Sequence, residues 1–378
     1  MKLQTGKIVK GSDFTGREKL LHEIDTYLDM GQSVVLIAPR RYGKSSIIQK
    51  VIDTRTKDQS IQIDLMKIFN KRDLAEAIIE ETYKLIGISN FFEYTKKVTL
   101  ETFHTISQIL KKFEISIEEV GLNLTIELAS KNDDDALLRH ALELPEKIAG
   151  KIDANILFAI DELGEIRNLK EHEKILMLMR SVFQEAERVN FIFAGSQYSL
   201  MNHIFTDQNS PFFRFAEVIH VPTMKTEEFE PFFKEVFRRM QISLYSHFTE
   251  DVVKISGGIP YYIVKIAQEV LVDTKMKGKI NVFPFSVCRA ALERYKQEEG
   301  YFIGELNRVK GKKYHIQLLK ILAVGGDPYK ELEELGVRKQ NVNKILITLM
   351  DDGLIAKDGR EYRIIDPFLR RYLAKDLY

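Results

Sequence analysis

The chain has 378 residues, 44% of them hydrophobic and 29% charged, with a net charge of +1. That length calls for two or three domains of roughly 100–200 residues each. The near-zero charge excludes a strongly basic nucleic-acid coat, though not a local basic patch. The single cysteine, Cys288, excludes an intrachain disulfide; read as a small buried apolar residue, it fits a reducing, cytoplasmic setting. No run of about 18 apolar residues is present to cross a membrane, and Met1 to Lys7 lacks the apolar core of a secretion signal.

Residues 11–30 open on Phe14-Thr15-Gly16-Arg17-Glu18, followed by helix-spaced Leu20, Leu21, Ile24, Tyr27 and Leu28. The Thr15 and Glu18 spacing suits a local capping box. The segment also stands just ahead of a phosphate loop, where it can cover a nucleotide base. That loop organises the chain. Val34 to Ile37 is a short buried strand, Ala38-Pro39-Arg40-Arg41-Tyr42-Gly43 is a loop, and Lys44-Ser45-Ser46 leads into a helix. Strand, loop and helix in that order aim backbone N–H groups and a positive helix end at one spot. Gly43 permits close backbone approach, Lys44 reaches the β/γ-phosphates, and the Ser45 hydroxyl suits Mg²⁺. The spacing is that of a Walker A motif, with Ala38 in place of the first glycine.

Ser60 to Leu65 alternates like a strand and ends at Asp64, which either assists near the nucleotide or caps the strand. Residues 71–88 and 99–113 are helix-spaced, and Glu114 to Ile126 predicts a hairpin turning at Gly121. Asn132 to Asp135 predicts a helix start, because carboxylates favour the positive helix end; metal binding is the other reading of three adjacent aspartates.

Asn155 to Leu163 carries a nearly continuous apolar run ending in Asp161 and Glu162. Such a strand is buried on both faces, as in a parallel sheet, and delivers its carboxylates to the ligand-binding edge. Asp161 suits Mg²⁺, and Glu162 suits activation of an attacking water. This is a Walker B pattern. A helix from Ile175 to Glu187 precedes the strand Asn190 to Gln197, whose polar end places Ser196 and Gln197 near a γ-phosphate. Arg214, flanked by Phe213 and Phe215, either stacks or senses that phosphate.

From Thr226 the chain is helical through Phe229, Phe232, Phe233 and Phe237. Gly257-Gly258 then ends one helix, and Pro260 suits the first turn of the next. This predicts a lid over residues 223–300, between a nucleotide-binding core at 1–222 and a C-terminal domain at 301–378. In that last domain a helix and turn at 329–337 precede a helix from Arg338 to about Met350. An Asp-Gly hairpin follows, and the combination predicts a winged helix. Arg338, Lys339 and Lys344 at the helix start, with Lys357, Arg360 and Arg363 in the hairpin, suit the phosphates and base edges of duplex DNA. Packing against a neighbouring domain or a protein partner is the other use of such a surface.

Together these residues resemble the archaeal-type ATPase family, a branch of the STAND class of AAA+-related P-loop ATPases. The resemblance rests on Phe14 to Glu18, Ala38 to Ser46, Ile156 to Glu162, Gly195-Ser196, Arg214, Gly257 to Pro260 and Asp366-Pro367-Phe368. It implies an α/β P-loop core with sheet order 5-1-4-3-2, a helical lid and a C-terminal winged helix. It further implies ATP or ADP with Mg²⁺ as ligands. Pro39 to Ser46, Gly16, Arg17 and Pro260 would bind the nucleotide; Ser45 and Asp161 would hold the metal; Glu162, Asp161, Ser196 and Arg214 would serve catalysis. The behaviour expected is that of a slowly hydrolysing switch, monomeric or oligomeric. The competing functions are a DNA-binding regulator with a mainly structural nucleotide site and an interaction scaffold using the Phe-rich lid.

Overall fold

A computed structural model describes residues 2–92, 116, 121–130, 133–309, 311–312, 314–358 and 361–375. Five strands form one parallel sheet: β1 (Val34–Ile37), β2 (Gln59–Asp64), β3 (Ile156–Asp161), β4 (Val189–Gly195) and β5 (Glu217–His220), in the spatial order β2-β3-β4-β1-β5. Read from the other edge this is 5-1-4-3-2, the order implied by the resemblance. Register aligns the carboxyl ends: Ile37 stands beside both Gly195 and His220, and Asp64 beside Asp161. A parallel sheet needs a crossover between neighbouring strands, and helices supply them on both faces.

Side-chain alternation splits the core in two. Val35, Ile37, Phe158, Ile160, Phe191 and Phe193 face one way. There they pack with α3 (Lys71–Lys84), α4 (Leu122–Ser130), α5 (Asp134–Ile152), α6 (His172–Phe183) and α7 (Tyr198–Thr206). Val34, Leu36, Leu157, Ala159, Ile192 and Ala194 face the other way, toward α1 (Glu18–Asp29) and α2 (Lys44–Thr54). Phenylalanines fill the first face, and two alanines on the second leave room for the helix that follows the phosphate loop.

The second core continues beyond the sheet. It runs through α8 (Thr226–Arg239), α9 (Phe248–Ser256), α10 (Pro260–Met276) and α11 (Pro284–Val309) into the C-terminal unit. That unit comprises α12 (His315–Ala323), α13 (Pro328–Glu334), α14 (Lys339–Asp351), the antiparallel pair β6 (Ile355–Asp358) and β7 (Glu361–Ile364), and α15 (Pro367–Lys375). Asp327 starts α13 by accepting from the Tyr329 and Lys330 amides. Asp366 starts α15 in the same way, accepting from Phe368 and Leu369. The helix expected from Arg338 is α14, with Arg338 as its N-cap residue.

Several local expectations are corrected. The hairpin over 114–126 is not formed in its second half, where Leu122–Ser130 is a helix. Leu122, Thr125, Ile126 and Ala129 follow helical spacing, and Leu122 and Thr125 are buried; this spacing prevails over the two-residue alternation of Leu122, Leu124 and Ile126. The rest of that hairpin, apart from Ser116, and the helix expected over 99–113 lie outside the described residues. Cys288 is exposed rather than buried, because Val287, Ala290, Ala291 and Arg294 form the buried stripe of α11 and position 288 falls off it. Among the aspartates, Asp133 caps α5 by accepting from the Ala136 amide. Among the described residues no helix is long and apolar enough to cross a membrane.

Candidate nucleotide site

The phosphate loop leaves the carboxyl end of β1 and enters α2 at Lys44. Gly43 has φ of 85° at the helix N-cap, a conformation that favours glycine. Ala38 is absent from the positive-φ residues, so the backbone freedom of the usual first glycine is not needed there. Lys44 is buried, and its Nζ donates to the Ala38 carbonyl at 2.8 Å and the Pro39 carbonyl at 3.4 Å. It also lies 3.6 Å from Glu162 Oε1. Burial lowers the Lys44 pKa, with Glu162 and then Asp161 working against that shift.

Two neighbouring strands bring the acids. Ser45 donates its hydroxyl to Asp161 Oδ2, joining the start of α2 to the end of β3. Asp161 is buried, and burial is the leading cause of its raised pKa, opposed by the Ser45 hydrogen bond. Glu162 turns the chain with φ of 51°, and its Oε2 accepts from the Ser196 amide at 3.1 Å and hydroxyl at 2.8 Å. Thus β1, β3 and β4 deliver Lys44, Ser45, Asp161, Glu162 and Ser196 to one edge. Gln197 turns instead to Glu165, at 3.3 Å.

Beside this cluster is a cavity of about 200 Å³, lined by Phe14, Arg17, Tyr42, Ser46, Pro260 and Tyr261 among others. The N-terminal segment lies along it, and the Val9 amide donates to Ser46 Oγ at 3.1 Å. Arg17 is buried; its Nη1 donates to the Pro222 carbonyl at 2.6 Å, while Nη2 is buried without a partner. An unpartnered buried donor beside a cavity suits a ligand acceptor. The expected Thr15–Glu18 capping box does not form. Glu228, on α8, accepts from the Arg17 amide at 2.8 Å, and Thr15 donates its hydroxyl to the Glu228 carbonyl. Gly16 is required here: its φ is 68°, and an added Cβ would lie 2.6 Å from Glu228 Cβ.

Two expected site residues make their contacts away from the Lys44 cluster, although Arg41 also lines the cavity. Arg214 precedes β5, which runs parallel to β1, so it stands at the amino end of the sheet, opposite the phosphate loop. There it is exposed, and its guanidinium lies 5.0 Å from the Phe213 ring centre; stacking, not phosphate sensing within this chain, is its observed contact. Arg41 turns away from the Lys44 cluster. It donates to Tyr262 Oη, lies 3.2 Å from Glu298 Oε2 and 3.4 Å from Asp366 Oδ2, and stacks near Tyr261 and Tyr301. Arg40 is largely exposed and lies 4.0 Å from Glu165. Arg338, Lys339, Lys344 and Lys357 are all exposed on the C-terminal unit; Arg360 lies outside the described residues. The sequence reading missed Glu228, Tyr262 and Glu298, whose contacts with Arg17 and Arg41 span 211 to 257 residues.

A five-stranded parallel sheet with this loop and these carboxylates defines a P-loop ATPase fold. The model of an ATPase domain predominantly from Archaea matches residues 14–266. The chain belongs to that family. Its structure is similar to the Walker-type ATPase of Pyrococcus abyssi, with a TM-score of 0.72 at 19% identity, over 98% of this chain and 99% of that one. It is also similar to the Aeropyrum pernix Orc1 protein solved in complex with DNA, with a TM-score of 0.51 at 12% identity, over 100% and 96% of the two chains. No curated protein matches it in sequence.

Proposed function

We propose that the protein is an ATP-binding, slowly hydrolysing switch whose nucleotide state sets the position of the C-terminal unit, read as a winged helix. The observation that carries this is the convergence of Lys44, Ser45, Asp161, Glu162 and Ser196 at one sheet edge. Ser45 and Asp161 offer hard oxygen donors suited to Mg²⁺, which when bound would neutralise phosphate charge. Lys44 is positioned by the loop carbonyls of Ala38 and Pro39, and its ammonium has three donors, enough to meet a β/γ oxygen as well. Glu162 is oriented by Ser196 through Oε2, which leaves Oε1 to accept a proton from water. Arg17, Tyr42, Ser46 and Pro260 would enclose the nucleotide beyond the phosphates.

A second reading, a DNA-binding regulator, draws support from the exposed Arg338, Lys339 and Lys344 at the start of α14. Against it, α14 also packs on α7 of the core, as an internal docking element would. One set of assays separates the readings. Lys44→Ala should lose ATP binding, while Glu162→Gln should keep it and lose turnover by about 100-fold or more, the scale of a lost general base. Turnover by Glu162→Gln at the parent rate would reassign the base. Duplex binding at low salt that disappears when Arg338, Lys339 and Lys344 become Glu would favour the DNA reading. An unchanged or absent gel shift would leave α14 as a docking element.

A further inference from the structure

Arg41 belongs to the phosphate loop, three residues before Lys44, yet its guanidinium reaches none of the acids there. It is held by three segments remote in sequence: Tyr262 on α10, Glu298 on α11, and Asp366 at the start of α15. Tyr262 also donates its hydroxyl to Asp366 Oδ2. Glu298 is buried, and its other oxygen lies 3.1 Å from Arg294 Nη2, which sits beside Glu269 at 3.5 Å from the other guanidinium nitrogen. The rings of Tyr261 and Tyr301 lie 4.7 and 4.4 Å from the Arg41 guanidinium carbon. Burial works against the Arg41 charge, but Tyr262, Glu298, Tyr301 and Asp366 together outweigh it and raise its pKa.

Arg41 has φ of 74°, a left-handed conformation unfavourable for a residue with a Cβ. The same residue therefore combines an unfavourable loop conformation with side-chain contacts to the helical region and the C-terminal unit. Asp366 ties the same contact into the fold, because its Oδ1 caps α15 while its Oδ2 faces Tyr262 and Arg41.

We propose that Arg41 is a latch: it clamps the C-terminal unit to the phosphate loop, and phosphates entering the loop compete with Glu298 and Asp366 for its guanidinium. The proposal rests on the switch reading and names the residue through which it acts. Linkage makes the coupling reciprocal. If bound phosphate draws Arg41 off Asp366, then removing the Asp366 charge strengthens phosphate binding. The guanidinium is suited to this exchange, since one planar fork recognises carboxylates and phosphates alike.

The test uses the full chain with ATP and Mg²⁺, reading ATP affinity by calorimetry and backbone hydrogen exchange over α15 and β7. Asp366→Asn keeps an oxygen to cap α15 and removes the charge; Glu298→Gln does the same for the second carboxylate. In the parent, ATP should speed exchange in α15 several-fold. Asp366→Asn should speed it without ATP and tighten ATP binding about 3- to 10-fold, with Glu298→Gln changing both in the same direction. Arg41→Ala should bind ATP but lose the ATP-dependent change in exchange. A parent that binds ATP with no change in α15 overturns the switch reading itself. A parent that responds, together with an Arg41→Ala variant that responds equally, overturns the latch alone. Unchanged affinity in both carboxylate variants also overturns it.

Discussion

The two faces of the central sheet are built for different tasks. One face is closed: α3 to α7 cover it, Phe158, Phe193, Phe205 and Phe212 are fully buried there, and among the described residues its buried ones lie between Val35 and Ala216. The other face is open-ended. It begins under α1 and α2 and continues without a break through α8–α11 to Leu373 of α15. The phosphate loop lies between this sheet and the helical region, and α14 of the C-terminal unit also reaches across to α7 of the closed face. What this teaches is that the nucleotide site and the C-terminal unit share a core, so a disturbance at either has a packed route to the other. Spatial continuity alone does not show coupling, and the comparison has to be tested by breaking each face separately.

The largest effect is expected on the closed face. Phe158→Ala removes a fully buried ring packed against Phe183 and Phe191 and should cost about 3–5 kcal/mol. Because that face underlies β3 and β4, thermal unfolding should move down as a whole, with ATP binding lost in the same transition. A separate, earlier loss of the C-terminal unit alone would contradict the division.

On the open face, Phe368→Ala should cost less globally and more locally. Phe368 is fully buried against Tyr262, with ring centres 4.7 Å apart, and it follows the Asp366 contact to Arg41. The variant should loosen the C-terminal unit by about 3 kcal/mol, the low end for a buried Phe, read as faster proteolysis between α11 and α12, while ATP still binds. If cleavage is unchanged and the whole chain melts earlier, the two faces unfold as one unit and the comparison fails.

The same division explains what was legible in the sequence. The Walker residues act within short segments at strand ends, and a strand's carboxyl end is readable from its apolar run, so Lys44, Ser45, Asp161 and Glu162 were found at the edge they occupy. Ser196 was found for the same reason. Arg41 and Arg214 carry no such mark. An arginine in a phosphate loop and an arginine before a strand each admit two directions, and tertiary contacts 221 or more residues away decide the first. For the second, the parallel direction of β5 decides, and it places Arg214 at the amino end of the sheet. Residues 122–126 show a smaller case, in which alternating apolar residues also satisfied helical spacing.

The smallest expected effect is a pH response confined to the closed face. His140 on α5 is buried; its Nε2 lies 2.6 Å from Thr125 Oγ1, which in turn lies 2.8 Å from Tyr83 Oη. Its Nδ1 is buried without a partner. Burial, and then Lys147, push its pKa down to about 4, with Glu143 opposing. The unfolded chain titrates this histidine near its ordinary value of about 6.5. Between these values the unfolded state binds a proton that the folded state refuses, so stability rises with pH across the window and falls as pH drops from about 6.5 toward 4. Between pH 5 and pH 7 this amounts to a contribution on the order of 2 kcal/mol. His140→Gln keeps an acceptor and donor for Thr125 without a titrating group. Urea midpoints at pH 5 and pH 7 should therefore differ less in the variant than in the parent, and parallel pH slopes would remove His140 as the source. Because α5 packs on the closed face, the ATP affinity of the variant at pH 7 should equal the parent's; a changed affinity would mean that this face, too, is coupled to the phosphate loop.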